Sequence, residues 1–229
     1  MANIITVGRL ILLFVVVAMI YQGPVSLALA SMILLIVVFV GDGLDGWVAR
    51  RRNSTSQFGA VFDIAGDRIV ETVLWVVFAN LNLIPIWAPL AVITRGGIVD
   101  ALRSLSYSEG MTAFGEKSMM RSPLTRWLTS GRFMRGFYGY AKAVGFVFLA
   151  GLAGYVQPES AGTWLETVYG NDLVRGFGWL MVWLAFALMI IRGLPVIVDA
   201  WPYLQRPQPT GTAPAAPVPA PGETPPVSR

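Results

Sequence analysis

From residue 10 to residue 41 the chain carries no charged side chain, and only Gln22, Gly23 and Pro24 separate two apolar runs at 10–21 and 25–41. About 20 apolar residues suffice for a helix to cross the hydrocarbon core, and a helix satisfies its own backbone in lipid. Further apolar runs follow at 58–80, 84–102, 139–156 and 173–198. The chain is 55% hydrophobic and 13% charged, too apolar for an ordinary soluble domain. The expectation is an all-α integral membrane protein with six transmembrane helices spread over residues 1–200. Residues 1–9 read as a short, mildly amphipathic lead. The early second run, with no basic segment before the first, argues against a cleaved signal peptide. Beyond residue 200 Pro and Ala take over, and 201–229 reads as a disordered cytoplasmic tail.

Charge placement gives an orientation. Arg50, Arg51 and Arg52 lie between the second and third runs; Arg103, Lys117, Arg121, Arg126, Arg132 and Arg135 lie between the fourth and fifth. The short turns at 22–24 and 80–85 carry no charge. By the positive-inside rule the basic loops, and with them both termini, are cytoplasmic, in an inner (cytoplasmic) membrane. The polar stretch 104–135 reads as a connector or as an amphipathic surface helix.

Four acids stand out at the borders of the apolar runs: Asp42, Asp45, Asp63 and Asp67. A carboxylate in the bilayer centre costs at least ~2.5–3.5 kcal/mol on insertion scales, so such acids are functional candidates by default. Asp42, Asp45, Gly46 and Ala49 share one helix face at i, i+3, i+4 and i+7; Gly59, Asp63 and Asp67 share the next at spacings of four. The chain has no His and no Cys, so a metal held here meets only oxygen ligands, which suits Mg²⁺, Mn²⁺ or Ca²⁺. Two such ions ~3.5–4 Å apart clamp the attacking and leaving oxygens of a phosphoryl displacement. Gly46, Ala49 and Gly59 open room for a ligand, or equally for close helix packing. Arg50 at the border suits phosphate oxygens, whereas Arg51 and Arg52 read as topology signals. Glu71, one turn beyond Asp67, reads as an outer residue or an ion-pair partner of Arg68.

The pattern Asp-x2-Asp-Gly-x2-Ala-Arg-x8-Gly-x3-Asp-x3-Asp, filled by Asp42, Asp45, Gly46, Ala49, Arg50, Gly59, Asp63 and Asp67, resembles the signature of the CDP-alcohol phosphatidyltransferases. Asn3, Thr6 and Arg9 resemble the Asn-x2-Thr-x2-Arg opening common in that family. The resemblance covers roughly residues 3–200. It implies that the four aspartates hold a Mg²⁺ or Mn²⁺ pair, and that Gly46, Ala49, Arg50 and Gly59 line a cytidine diphosphate pocket. It implies further that Asp67 is the base that takes the acceptor's hydroxyl proton. The reaction implied is transfer of a phosphatidyl group from CDP-diacylglycerol to an alcohol with release of CMP, in phospholipid biosynthesis, by a homodimer.

The acceptor is read from basic residues outside the signature, Arg95, Arg103 and Lys142, which suit a phosphorylated alcohol. The segment 93–104 resembles one in phosphatidylglycerophosphate synthases, with Gly96 and Gly97 where those carry Glu and Ile. Glycerol 3-phosphate is therefore the lead acceptor, with inositol 1-phosphate as rival and serine less favoured; for Arg103 and Lys142, topology-setting stays open. Two other classes account for these residues less well. A membrane prenyltransferase needs two separated Asp-rich motifs, and a cation carrier leaves the Gly-Ala-Arg-Gly positions unexplained. Nothing in the chain suggests nucleic-acid binding.

Overall fold

The computed structural model describes residues 2–51, 57–108 and 131–204 and most of their side chains; those of 2, 3, 43–51, 57, 58, 60, 103–108, 132 and 195–204 lie outside the description. All regular structure among the described residues is helical: α1 (Ala2–Gln22), α2 (Ala28–Arg51), α3 (Gln57–Asn80), α4 (Trp87–Ser108), α5 (Arg132–Tyr155), α6 (Trp164–Tyr169) and α7 (Asp172–Leu204). Among the described residues four segments are long and apolar enough to cross a membrane: Ile4–Gln22, Val25–Asp42, Phe133–Tyr155 and Asp172–Leu194. The chain is thus a multi-pass membrane protein. Its outward faces are correspondingly apolar, with Ile11, Phe14, Ile33, Val37 and Leu180 exposed.

The helices α3 and α4, of 24 and 22 residues, are long enough to span, about 36 and 33 Å at 1.5 Å per residue. Their charges set them apart: Asp63, Asp67, Arg68 and Glu71 lie on α3, and Arg95, Asp100 and Arg103 on α4. The lead expected at residues 1–9 is no separate element. From Ala2 it forms the opening turns of α1, because nothing between Ala2 and Arg9 breaks a helix. At the other end α7 runs on to Leu204, and the Pro-rich segment from 205 lies outside the described residues.

The long helices close a ring. Packing runs from α1 to α2, α2 to α5, α5 to α7, α7 to α4, α4 to α3, and α3 back to α1. Aromatic side chains fill its middle. Trp75 of α3 meets Phe146 of α5 edge-on at 5.3 Å and Phe186 of α7 at 5.7 Å, while Phe39 of α2 stacks on Phe146 at 6.0 Å. In lipid such packing rests on close contact, since no hydrophobic force favours one apolar neighbour over another. Glycines supply that closeness. A Cβ on Gly145 would stand 3.2 Å from the Val182 backbone, and one on Gly154 would stand 2.7 Å from Cβ of Ala28.

One turn joins α3 to α4 with Asn82 at φ 58, a left-handed conformation that Asn tolerates. At that end the Tyr21 hydroxyl donates to Asn80 Oδ1 at 2.7 Å, tying α1 to α3. Between α5 and α7 lies a segment with regular structure of its own. It holds a 3-10 turn at Pro158–Ser160 and the short α6, pinned by Tyr169, whose hydroxyl donates to the Phe148 carbonyl at 3.2 Å.

Candidate active site

Three helices meet at the aspartates. Asp42 lies near the end of the apolar part of α2, and Asp63 and Asp67 lie one turn apart on α3. Between them, from α1, comes Arg9. Its Nη1 stands 2.9 Å from Asp42 Oδ1 and 3.8 Å from Asp63 Oδ1, and its Nη2 stands 3.0 Å from Asp67 Oδ1. The arginine is 5% exposed, whereas the three acids are 38%, 42% and 39% exposed. The cation is thus the inner member, and the carboxylates form the rim around it.

Local sequence explains the seating of Arg9. Its Nε donates to the Val38 carbonyl at 3.1 Å, one turn before Asp42 on α2. Its aliphatic stem lies in the notch of Gly41, where a Cβ would come 3.1 Å from Cγ and Cδ. One turn earlier on α1, Thr6 packs onto Gly66 of α3, where a Cβ would come 2.6 Å from Thr6 Cγ2. Two glycines therefore admit α1 to the cluster from both sides.

Asp45, Gly46, Ala49 and Arg50 continue the same helix as Asp42, but their side chains lie outside the described residues. Gly59 lies on α3, one turn before Asp63. Among the described residues no group of three or more acids forms a ready metal cage, and the cation that these acids surround is Arg9. In donor type and convergence they nevertheless fit a hard divalent cation: all the ligands are carboxylate oxygens, directed from two helices at one positive centre.

A second polar group lies one turn further along α3. Glu71, 5% exposed, accepts a hydrogen bond from the Tyr138 hydroxyl, and Lys142 Nζ stands 3.7 Å from Glu71 Oε2. The same ammonium lies over the rings of Tyr138 and Phe39, at 5.3 and 5.9 Å from their centres. Arg192 of α7 lies over Tyr138 at 5.1 Å. Arg95 of α4 adds positive charge near Tyr138, its stem against Gly193, whose Cβ would come 2.7 Å from Arg95 Nε. Of the expected acceptor residues, then, Arg95 and Lys142 come to one place, from α4 and α5. The side chain of Arg103 lies outside the described residues. Arg192, Tyr138 and Arg9 were absent from the expected site, and Glu71 was placed only at its margin.

A groove of about 680 Å³ opens between α2, α5, α6 and α7. Its walls are apolar, among them Ile36, Val40, Val147 and Phe177, and Asp42 and Lys142 are its charged lining residues. The groove thus links an apolar surface to both polar groups.

A family model described as CDP-alcohol phosphatidyltransferase matches residues 1–191. A Mycobacterium tuberculosis protein named "Putative cardiolipin synthase" is 35% identical over 80 residues, 34% of this chain and 38% of its own length. A Bacillus subtilis CDP-diacylglycerol–glycerol-3-phosphate 3-phosphatidyltransferase is 31% identical over 75 residues, 33% of this chain and 39% of its own. An Arabidopsis thaliana CDP-diacylglycerol–inositol 3-phosphatidyltransferase is 46% identical over 43 residues, 19% of each. The chain therefore spans about two-fifths of the length of the first two relatives, and less of the third.

Proposed function

Because this chain belongs to the CDP-alcohol phosphatidyltransferase family, we propose that it transfers a phosphatidyl group from CDP-diacylglycerol to an alcohol and releases CMP. The observation that carries the reading is the groove: an apolar slot whose charged lining residues are Asp42 and Lys142. Such a slot suits a substrate with two acyl chains and a polar head at the aspartates. Burial of a lipid chain contributes about 0.8 kcal/mol per CH₂ relative to water, but little relative to bilayer; the groove therefore orients the lipid more than it extracts it.

Asp42, Asp45, Asp63 and Asp67 are assigned to hold one or two divalent cations, Mg²⁺ or Mn²⁺, which when bound neutralise diphosphate charge. Gly46, Ala49 and Gly59 would leave room for the cytidine diphosphate, with Arg50 directed at its phosphates. Asp67 receives the hydroxyl proton as the acceptor oxygen attacks the β-phosphorus. A new P–O bond forms there, the diphosphate P–O bond breaks, and CMP departs with the electron pair.

Arg95, Lys142 and Arg192 support a phosphorylated acceptor, since three cations from three helices gather around Tyr138. Glycerol 3-phosphate is the lead acceptor, which accords with the name of the B. subtilis relative. Inositol 1-phosphate is the alternative, supported by the same cations. In this reading α3 and α4 complete a six-span bundle, with both termini and the aspartates on the cytoplasmic side of the inner membrane, a Pro-rich tail after the bundle, and a homodimer as the working unit. The test is CMP release by the purified chain with Mg²⁺ or Mn²⁺, offered glycerol 3-phosphate, inositol 1-phosphate, inositol, serine and phosphatidylglycerol in turn. Release with glycerol 3-phosphate supports the lead acceptor; release only with another transfers the assignment to that alcohol.

A further inference from the structure

We propose that Arg9 is the positioning residue of the cation site, the fixed guanidinium that holds the aspartates of α2 and α3 in register. The inference rests on the reading of these aspartates as cation ligands. Arg9 takes one oxygen, Oδ1, from each of Asp42, Asp63 and Asp67, and so ties two helices through one planar group. Without it, three like charges would have to share one spot, and like charges at such range repel.

Arg9 could instead be a stand-in, held by the acids and expelled by an arriving cation. The structure argues otherwise, because two of its restraints do not involve the acids. The Val38 carbonyl holds Nε at 3.1 Å, and the stem lies where a Cβ on Gly41 would come 3.1 Å from Cγ and Cδ. A guanidinium also keeps its charge in proteins, so it has no cheap way to leave a buried place. It therefore remains when the cation binds. Its charge repels the incoming ion, while its hydrogen bonds pre-align the ligands. Outer partners of metal ligands typically contribute 10–100-fold to affinity, and we assign Arg9 a net effect of that sign. Its five N–H donors form a fixed fork that can bridge carboxylates on separate helices; an ammonium cannot reproduce it.

The experiment titrates Mn²⁺ into the purified full chain in detergent and reads the free-ion signal by electron paramagnetic resonance. Arg9→Gln is expected to weaken Mn²⁺ binding by about 10–100-fold. Arg9→Lys should weaken it less, and neither variant should broaden gel-filtration elution. Gly41→Ala, which crowds the stem but keeps the charge, serves as the second variant if Arg9→Gln does not fold; a weaker site is expected there too. Binding unchanged or tighter in Arg9→Gln, while Asp42→Asn weakens it, overturns the positioning role and leaves the cation site standing. Absence of Mn²⁺ binding by the wild-type chain overturns both.

Discussion

Arg9 Nη2 lies 3.0 Å from Asp67 Oδ1 across 58 positions of sequence. That contact makes α1 a wall of the site rather than a plain anchor. It also places a permanent positive charge beside the residue proposed as base.

Asp67→Asn retains the shape of the side chain and removes its basicity. Turnover should fall by at least the ~10²–10⁴-fold that a positioned base contributes. CDP-diacylglycerol binding, measured by equilibrium partition of a labelled lipid, should change little. Turnover near the wild-type rate would take the role of base from Asp67.

Gly66 and Thr6 form a steric pair. A Cβ on Gly66 would stand 2.6 Å from Thr6 Cγ2, and Thr is stiff about χ1, so α1 must move. Gly66→Ala should lower the melting temperature in detergent and weaken activity. Thr6→Ser removes the methyl at fault, so the double variant should recover most of both losses. A Gly66→Ala protein as stable as wild type would show that α1 has slack at this point.

Lys142 and Glu71 should behave as a buried pair. Removing one partner of such a pair typically costs about 3–5 kcal/mol, because the other charge is left uncompensated. Glu71→Gln and Lys142→Met should each destabilise the protein strongly, and the double variant less than their sum. Lys142→Met should also raise KM for glycerol 3-phosphate more than KM for CDP-diacylglycerol. Equal effects on both would remove Lys142 from the acceptor site.

Ile36 lines the groove and is half exposed. Ile36→Trp should obstruct it, lowering kcat/KM for long-chain CDP-diacylglycerol several-fold while sparing a short-chain analogue. Equal loss with both lipids would place the acyl chains elsewhere.

The helices were legible in the sequence because long apolar runs with polar breaks admit few other folds in lipid. The shared face of Asp63 and Asp67 was legible because a spacing of four returns a side chain to the same side of a helix. Arg9 was legible only as the last member of the Asn3, Thr6, Arg9 pattern, with no role at the aspartates, although it is a lone cation ahead of an uncharged stretch running to residue 41. Treating α1 as one helix from Ala2 applies to Arg9 the argument that singled out the acids. Arg192 was hidden differently. Only the ring closure of α5 against α7 brings it over Tyr138, and the order in which helices pack around a ring is not written in their periodicity. The short α6 escaped because six residues carry too few turns to reveal a period.

The central claim is tested most directly by CMP release from CDP-diacylglycerol with glycerol 3-phosphate, measured with Mg²⁺ or Mn²⁺ and again after EDTA. The account predicts release that needs both the acceptor and the cation and that returns when the cation is restored in excess. No release with any alcohol of the panel, or release that EDTA leaves unchanged, would contradict it.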